Sequence, residues 1–188
     1  FQWASIIISH PQARIGLFIV VALILMGVFA PLIAPGDPNE FVGMPNQKPG
    51  DEFILGVDPL GRNEFALVVW GARVSLAIGF GTAALGMLIA TTVGMIAGYF
   101  GGLLDDILVL IMNLFLVIPG LPLLILLAAY LRPSTATVIF TLAITGWAFN
   151  ARIIRAVTLS LREKDYVAAA IVAGEDNLTI IFRQILPN

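Results

Sequence analysis

Apolar residues are gathered into four long runs, and polar residues are confined to the segments between them. None of the runs contains Asp, Glu, Lys or Arg. A helix that crosses a bilayer needs about 20 consecutive, mostly apolar residues. The runs therefore predict membrane-spanning helices, and the chain is predicted to be an all-α, polytopic membrane helical bundle. The predicted spans are Ile15–Ala34, Val74–Gly98, Ile107–Leu131 and a shorter one from Ala136 to about Phe149.

The segments between the spans differ in kind. Residues 35–61 contain five prolines, which exclude a regular helix and predict an ordered or partly ordered external loop. A short interfacial helix is predicted over residues 63–73. We therefore divide the chain into an N-terminal segment with the first span (1–34), an external loop with the interfacial helix (35–73) and a membrane domain (74–188). Within that domain, residues 99–106 are predicted to form an exposed glycine-rich turn, and the chain after Asn150 is predicted to be charged and re-entrant.

Composition narrows the possible functions. The chain is 59% apolar and 12% charged, whereas a soluble domain has about 25% charged residues. It has no cysteine and one histidine, His10, so it offers no disulfide framework and no thiolate or multi-histidine metal site. With 12 acidic and 10 basic residues it lacks the basic surplus of a nucleic-acid-binding protein. We expect a lipid bilayer as its environment, no nucleic-acid partner and no metal or cofactor bound by this chain.

The basic residues indicate the orientation, because Lys and Arg are retained on the cytoplasmic side of a membrane. Four spans place both ends of the chain on one side. The other side carries an acidic loop, which holds six of the twelve acidic residues. Both ends are therefore predicted to be cytoplasmic, where the basic residues are Arg14, Arg152, Arg155, Arg162, Lys164 and Arg183.

Small residues recur at every fourth position of the second span. This spacing places them on one side of a helix, where they allow a second helix to approach closely in lipid. We predict a helix-packing stripe, and the spacing leaves open whether the partner helix belongs to this chain or to a second subunit. The stripe consists of Thr82, Gly86, Ala90, Gly94 and Gly98.

The third span contains Asn113, Pro119 and Pro122. Prolines bend helices, and transporters place interrupted helices around their pathways. These three residues are candidate pathway residues, the alternative being a kink without a transport role. No span carries a charged group that could bind a coupling ion, so we expect the energy for any uphill transport to enter from outside the spans.

The charged segment 165–188 predicts two short helices. The first is rich in alanine and is predicted to stop at Gly174. The second is amphipathic, and such a unit suits docking against a partner protein. Asp176 is predicted to cap this second helix, which places four apolar side chains on one face before Pro187. These are Leu178, Ile181, Phe182 and Ile185.

This segment resembles the EAA loop of ATP-binding-cassette importer permeases, whose pattern is Glu-Ala-Ala, three residues, Gly, nine residues and an apolar-Leu-Pro end. The matching residues are Ala169, Ala170, Gly174, Ile185, Leu186 and Pro187. Other stretches are similar, in order and spacing, to the second permease of peptide and nickel importers. They are Leu55–Arg62 (LGVDPLGR), Gly71–Leu76 (GARVSL), Gly98–Gly102 (GYFGG), Ile118-Pro119 and Ala151–Arg155 (ARIIR).

The resemblance implies a type I importer transmembrane domain with four of about six spans present, so we expect this chain to be part of a longer permease. It implies a location in a bacterial or archaeal plasma (inner) membrane. There the subunit would form half of a translocation pathway, together with a paralogous permease. Two ATPase subunits would bind ATP and Mg, and an external solute-binding protein would deliver a peptide substrate. This chain itself would not be an enzyme.

The resemblance also implies that residues 165–188 couple the spans to the ATPases. Asn63 and Ala168 stand where the family usually has acidic residues, so no salt bridge is carried over to either position. A nickel or other small-solute importer of the same family is the alternative, as is a non-transporting membrane assembly subunit. The implied coupling residues are Ala169, Ala170, Gly174, Asp176, Leu178, Ile181, Phe182, Leu186 and Pro187.

Overall fold

The computed structural model describes residues 10–188, so the first nine residues of the predicted segment 1–34 lie outside the described residues. The chain divides into two compact units, Phe1–Ile78 and Gly79–Asn188. In the described residues the regular elements are all helical. They are α1 (Pro11–Val28), α2 (Ala30–Ile33), α3 (Glu64–Phe100), α4 (Gly102–Val117), α5 (Gly120–Tyr130), α6 (Thr135–Arg162), α7 (Asp165–Val172), α8 (Asn177–Thr179) and a π-helical segment, Ile180–Ile185.

Three of these helices, α1, α3 and α6, are long and apolar enough to cross a membrane. The pair formed by α4 and α5 adds a fourth span if it is counted as one broken helix. All four apolar runs of the sequence are therefore found as helices. The prediction of an all-α, polytopic membrane protein is confirmed.

The helix α3 joins two elements that the sequence predicts separately. It has 37 residues and is about 55 Å long at 1.5 Å per residue, well beyond the 30 Å of a bilayer core. The predicted interfacial helix over residues 63–73 is simply its beginning. Arg73, which comes immediately before the apolar run Val74–Gly98, does not interrupt the helix, and its guanidinium carbon lies 5.5 Å from the ring centre of Trp70. The expectation of two helices was wrong because a charged residue interrupts an apolar pattern without interrupting a helix.

The predicted third span is broken sharply at Pro119. A proline forces the residue before it out of the helical region, and Ile118 accordingly has an extended backbone with ψ 124°. The helix α4 ends at Val117 and α5 begins at Gly120, with their axes bent by 82°. The structure thus has two helices in the predicted third span, and the prolines that predict a bend mark the place where it is broken.

The helix α6 continues far beyond its predicted end near Phe149. It begins at a capped N-terminus, where the Ser134 hydroxyl oxygen accepts a hydrogen bond from the Thr137 backbone N–H at 3.1 Å. It ends at Arg162, so residues 151–162 continue the spanning helix, where the sequence predicts that the chain has already left it.

In the first unit, α1 and α2 pack on the beginning of α3. A Cβ added at Gly27 would lie 2.9 Å from Cδ1 of Leu76, so the two helices approach closely at this glycine. The Trp70 indole N–H donates a hydrogen bond of 3.0 Å to the Ala34 carbonyl oxygen. Ala30, Ala34 and Val69 form the buried cluster between these helices.

The loop between α2 and α3 is ordered by a turn centred on Asp58. One oxygen of the buried Asp58 carboxylate accepts hydrogen bonds of 2.8 Å from the backbone N–H groups of Leu60 and Arg62, and the other lies 2.6 Å from Nη2 of Arg62. Burial raises the pKa of Asp58, but the hydrogen bonds and the charge of Arg62 outweigh it and hold that pKa below its usual value. Gly61 has a φ of +80°, and its carbonyl oxygen accepts a hydrogen bond from the Val42 N–H. The proline-rich segment is therefore an ordered loop.

Asn63 joins this turn to α3. Its side-chain oxygen accepts a hydrogen bond of 3.0 Å from the Phe65 backbone N–H and so caps the helix. Asparagine and aspartate cap helices equally well, so α3 keeps its cap although Asn63 stands where the family usually has Asp.

Candidate functional site

The small-residue stripe of α3 meets α6 of the same chain. A Cβ added at Gly94 would lie 2.6 Å from the Ala151 carbonyl oxygen, and one at Gly98 would lie 2.7 Å from Cβ of Thr158. No real side chain tolerates such distances, so only glycine allows the helices to come this close. The partner helix that the sequence left open is, at these two positions, α6.

The contact loosens toward the other end of the stripe. A Cβ at Gly86 would lie 3.8 Å from the Ala143 Cα, which is an ordinary contact distance. Ala90 is fully buried, and the Thr82 hydroxyl is buried without a hydrogen-bond partner in the described residues. The backbones of the two helices therefore approach most closely near the C-terminal end of α3, whereas at Gly81 the close contact is with the side chain of Ile139.

Residues 165–185 form a unit of two short helical pieces joined by a tight turn, which we call the docking unit. The helix α7 ends in a Schellman turn, in which the Gly174 N–H donates to the Ile171 carbonyl oxygen at 3.0 Å and the Glu175 N–H donates to the Ala170 carbonyl oxygen at 3.1 Å. Gly174 occupies the left-handed position of this turn with φ +82°. The predicted helix stop at Gly174 is confirmed.

The second piece begins at Asp176, as predicted. The Asp176 carboxylate accepts hydrogen bonds from the Thr179 backbone N–H at 3.1 Å and from the Thr179 hydroxyl at 2.5 Å. Both bonds lower the pKa of Asp176, and the bond from the Thr179 hydroxyl has the larger effect. After Thr179 the chain continues as a π-helix, with the Leu186 N–H donating to the Ile181 carbonyl oxygen at 2.9 Å.

The inner side of the docking unit is buried against the ends of α3 and α6. The cluster consists of Met95, Tyr99, Val167, Ala170, Ile180, Ile181 and Ile185, with Ile154 and Leu161 packed against it. The Tyr99 hydroxyl also donates a hydrogen bond of 2.9 Å to the side-chain oxygen of Asn177. The docking unit is therefore fixed to both helices.

The outer side of the docking unit exposes large apolar side chains. Leu178 is 64% exposed and Phe182 is 60% exposed, whereas Ile181 and Ile185 are buried. The prediction that these four residues share one face was wrong. The wider turn of the π-helix rotates the positions, so that Ile180, Ile181 and Ile185 face the core and Phe182 faces away. We call Ile171, Val172, Leu178 and Phe182 the exposed apolar set.

The predicted coupling residues are thus divided between the two sides. Ala170 and Ile181 hold the unit on α3 and α6. The remaining ones are exposed and are Ala169, Gly174, Asp176, Leu178, Phe182, Leu186 and Pro187.

The candidate pathway residues lie on both sides of the break between α4 and α5. The Asn113 side-chain oxygen, in α4, accepts a hydrogen bond from the guanidinium of Arg152 in α6. Pro119 forms the break, and Pro122 lies in the first turn of α5 with its ring exposed. Asn113 therefore joins two helices.

The sequence missed a second polar link between the same helices. Asp105, predicted to lie in an exposed turn, is in the first turn of α4 and pairs with Arg155 of α6 through two hydrogen bonds. The two residues are 50 positions apart. Opposite charges at helical positions beside a predicted span were the available signal.

Among residues 10–188, no group of three or more His, Cys, Asp or Glu side chains is placed to hold a metal ion.

Two family models match this chain. Residues 90–188 match the binding-protein-dependent transport system inner membrane component, and residues 5–50 match the N-terminal transmembrane domain of oligopeptide transport permease C. The first match covers the second half of the sequence and includes the docking unit. The chain belongs to the family of binding-protein-dependent transport system inner membrane components.

Curated relatives agree with this membership. The chain is 36% identical to the dipeptide transport system permease protein of Alkalihalophilus pseudofirmus over 96% of its own length and 60% of the relative. It is 36% identical to the oligopeptide transport system permease protein of Bacillus subtilis, over 96% of this chain and 59% of that protein. It is 34% identical to the glutathione transport system permease protein of Pectobacterium atrosepticum, over 98% of this chain and 62% of that protein. The chain thus spans about three fifths of the relatives it matches.

Proposed function

We propose that this chain is a permease subunit of an ATP-driven importer of peptides. Its membership of the binding-protein-dependent family supports a role in transport. The names of its relatives, which refer to dipeptides, oligopeptides and glutathione, support peptides over nickel as the substrate class. In this proposal the chain forms half of the translocation pathway, and a paralogous permease forms the other half.

The docking unit is the proposed attachment point for ATPase subunits. The observation that carries this proposal is its two-sided construction: a buried side holds it on α3 and α6, while Leu178 and Phe182 remain exposed on the other. A partner that covered these side chains would gain apolar burial. Because the unit is capped at Gly174 and Asp176, a partner would displace it as one body. ATP and Mg would be bound by the ATPases, and this chain would perform no hydrolysis.

The proposed orientation places both ends of the chain in the cytoplasm of a bacterial or archaeal cell, across the plasma membrane. Arg14 lies in the first turn of α1, and Arg162, Lys164 and Arg183 lie at or beyond the end of α6. The positive-inside tendency favours one side for all of them. Both ends of the chain lie on the same side only if α4 and α5 together cross the membrane.

The loop between α2 and α3 is the proposed contact for an external solute-binding protein. It is held by the turn at Asp58, yet it exposes the large apolar side chains of Met44, Ile54 and Leu60. A loop with fixed backbone and exposed apolar side chains can be recognised at low entropic cost.

Photo-crosslinking tests the docking proposal in the full-length permease, expressed with its partner permease and ATPases. A photoreactive phenylalanine analogue at Phe182 should yield an adduct with an ATPase subunit. The same analogue at Phe149, which is 63% exposed on α6 and so matches Phe182 in residue type and exposure, should yield none. Phe182→Glu should weaken ATPase association about 30-fold, the loss typical of an interface hot spot. ATPase association and peptide uptake that are both unchanged in Phe182→Glu would contradict the proposal.

The alternative function, a membrane assembly subunit that does not transport, is tested by measuring peptide uptake. It predicts a complex that co-purifies with ATPases but takes up no peptide in proteoliposomes supplied with ATP and the binding protein. The importer proposal predicts ATP-dependent peptide uptake under the same conditions.

A further inference from the structure

The attachment of the docking unit to the rest of the chain combines many apolar contacts with one polar one. In residues 10–188, the bond from the Tyr99 hydroxyl to the Asn177 side-chain oxygen is the one side-chain hydrogen bond between the docking unit and the helices before it. Tyr99 lies in the last turn of α3, and Asn177 is the first residue of α8. The bond therefore joins a spanning helix directly to the second half of the docking unit.

The Tyr99 side chain is held in place on several sides. It is 7% exposed, belongs to the buried cluster under the docking unit, and meets the ring of Phe100 edge to face with 5.2 Å between centroids. The direction of its hydroxyl is thus set by α3. At the other end of the bond, Asn177 follows the cap residue Asp176, so its position is set by the second half of the docking unit.

The hydrogen bond between Tyr99 and Asn177, which is partly buried, behaves differently from the apolar contacts around it. Apolar contacts have no preferred direction, so they restrain the position of Ile180 and Ile185 on α3 less specifically than a hydrogen bond between two named atoms does. A hydrogen bond has a preferred distance and angle and weakens when its two partners move apart, so this bond opposes such sliding. Displacing α8 therefore displaces the end of α3 with it.

We propose that Tyr99 is a positioning residue that transmits movement of the docking unit to α3 through Asn177. This inference rests on the proposed attachment of ATPases to the docking unit. Tyr99 contacts neither ATP nor substrate in this proposal. Its hydroxyl determines how much of the ATPase movement reaches the spanning helix.

The test measures ATP hydrolysis and peptide uptake together, in proteoliposomes that contain the complete importer. Tyr99→Phe removes the hydroxyl and keeps the ring in the cluster. We expect ATP hydrolysis within twofold of the unmodified importer and peptide uptake per ATP reduced about fivefold, the factor that corresponds to one hydrogen bond of typical net strength. Tyr130→Phe is the matched control, because Tyr130 is 83% exposed and makes no side-chain hydrogen bond in the described residues.

Variants at Asn177 test whether the hydroxyl acts through this residue. Asn177→Asp keeps an acceptor and should retain uptake per ATP, whereas Asn177→Leu should lower it as much as Tyr99→Phe. The double variant Tyr99→Phe with Asn177→Leu should be no worse than either single one. Additive losses in the double variant would overturn the link.

Two further outcomes separate this inference from the proposed function. If Tyr99→Phe takes up as much peptide per ATP as the unmodified importer, the inference fails and the proposed function stands. If Tyr99→Phe lowers hydrolysis and uptake in proportion, together with the melting temperature, Tyr99 is only structural and the inference fails. If the unmodified complex takes up no peptide, the proposed function fails and the inference with it.

Discussion

Asp105 and Arg155 form a bidentate ion pair between α4 and α6. The Arg155 Nε lies 2.5 Å from Oδ1 of Asp105, and Nη2 lies 2.6 Å from Oδ2. The side chain of Arg155 is 28% exposed and that of Asp105 is 13% exposed. Such a paired geometry fixes the rotation of one helix relative to the other. It lies two turns of α4 from the bond between Asn113 and Arg152, so two polar links fasten these helices at different heights.

Removing the charge of Asp105 should destabilise the permease. In Asp105→Asn the Arg155 guanidinium loses its ionic partner in a largely buried position. We expect a loss of roughly 2 kcal/mol, less than for a fully buried pair because Arg155 keeps access to solvent. Thermal unfolding of the purified full-length subunit in detergent measures the loss. Asp106→Asn is the matched control, since Asp106 is exposed and forms no ion pair in the described residues. Equal destabilisation by both variants would contradict a specific role for the pair.

The sequence predicts the helices of this fold better than their contacts. Long apolar runs predict α1, α3 and α6 because in lipid a helix satisfies all the backbone hydrogen bonds of a segment within that segment. The pair of Asp105 and Arg155 could not be predicted, because the two residues are brought together only by the packing of α4 on α6. The same limit explains why the helical state of Arg152 and Arg155 was missed. Charge marks the end of an apolar run but says nothing of where the helix ends.

Adding one methyl group at Gly94 should separate α3 from α6. The new Cβ would lie 2.6 Å from the Ala151 carbonyl oxygen, which belongs to helix backbone and cannot move aside. We expect Gly94→Ala to destabilise the isolated subunit by about 1–3 kcal/mol, the usual effect of overpacking, and Gly94→Leu to do more. Thermal unfolding measures both.

Gly79→Ala provides the control on the same helix. A Cβ at Gly79 meets nothing within 4 Å. Alanine also favours helix over glycine by up to about 1 kcal/mol, so Gly79→Ala should be neutral or stabilising. If Gly94→Ala proves as harmless as Gly79→Ala, the close approach of α3 and α6 is wrong.

Acid should loosen the external loop through Asp58. Because the pKa of Asp58 is lowered in the folded chain, its ionised form stabilises the loop at any pH above the unfolded value of about 3.9. The stabilisation is lost as the pH falls below that value and through the folded pKa. Hydrogen exchange of the Leu60 and Arg62 amides, corrected for intrinsic rates between pH 6 and 3, should show protection that falls below about pH 4.

Two variants check the assignment to Asp58. Asp58→Asn should exchange faster than the unmodified loop at pH 6 and should lose the acid-dependent step. Asp51→Asn should keep the step, since Asp51 is exposed and its side chain makes no hydrogen bond in the described residues. Retention of the full step in Asp58→Asn would assign it to another group.

The docking unit shows what a helical pattern can and cannot predict. The stop at Gly174 and the cap at Asp176 were predictable because both depend on residues adjacent in sequence. The orientation of Ile181 and Phe182 was not, because the prediction assumed 100° per residue and the π-helix advances less. The pattern therefore identified the apolar residues correctly and divided them wrongly between the inner and outer sides. The exposed pair of Leu178 and Phe182, rather than the four residues together, is available to a partner.

The left-handed turn at Gly174 should determine whether α7 and α8 keep their relative positions. A Cβ at Gly174 meets nothing within 4 Å, so any effect of alanine comes from the backbone conformation with φ +82°. That conformation is disfavoured by about 1–2 kcal/mol for alanine and by less for asparagine. Gly174→Ala should therefore increase hydrogen exchange at the Gly174 and Glu175 amides, which close the turn, and should weaken ATPase association, whereas Gly174→Asn should retain both properties. Gly120→Ala is the control, because its Cβ also meets open space but its backbone φ is not positive. If Gly174→Ala behaves as Gly120→Ala does, the left-handed turn is not what holds the docking unit together.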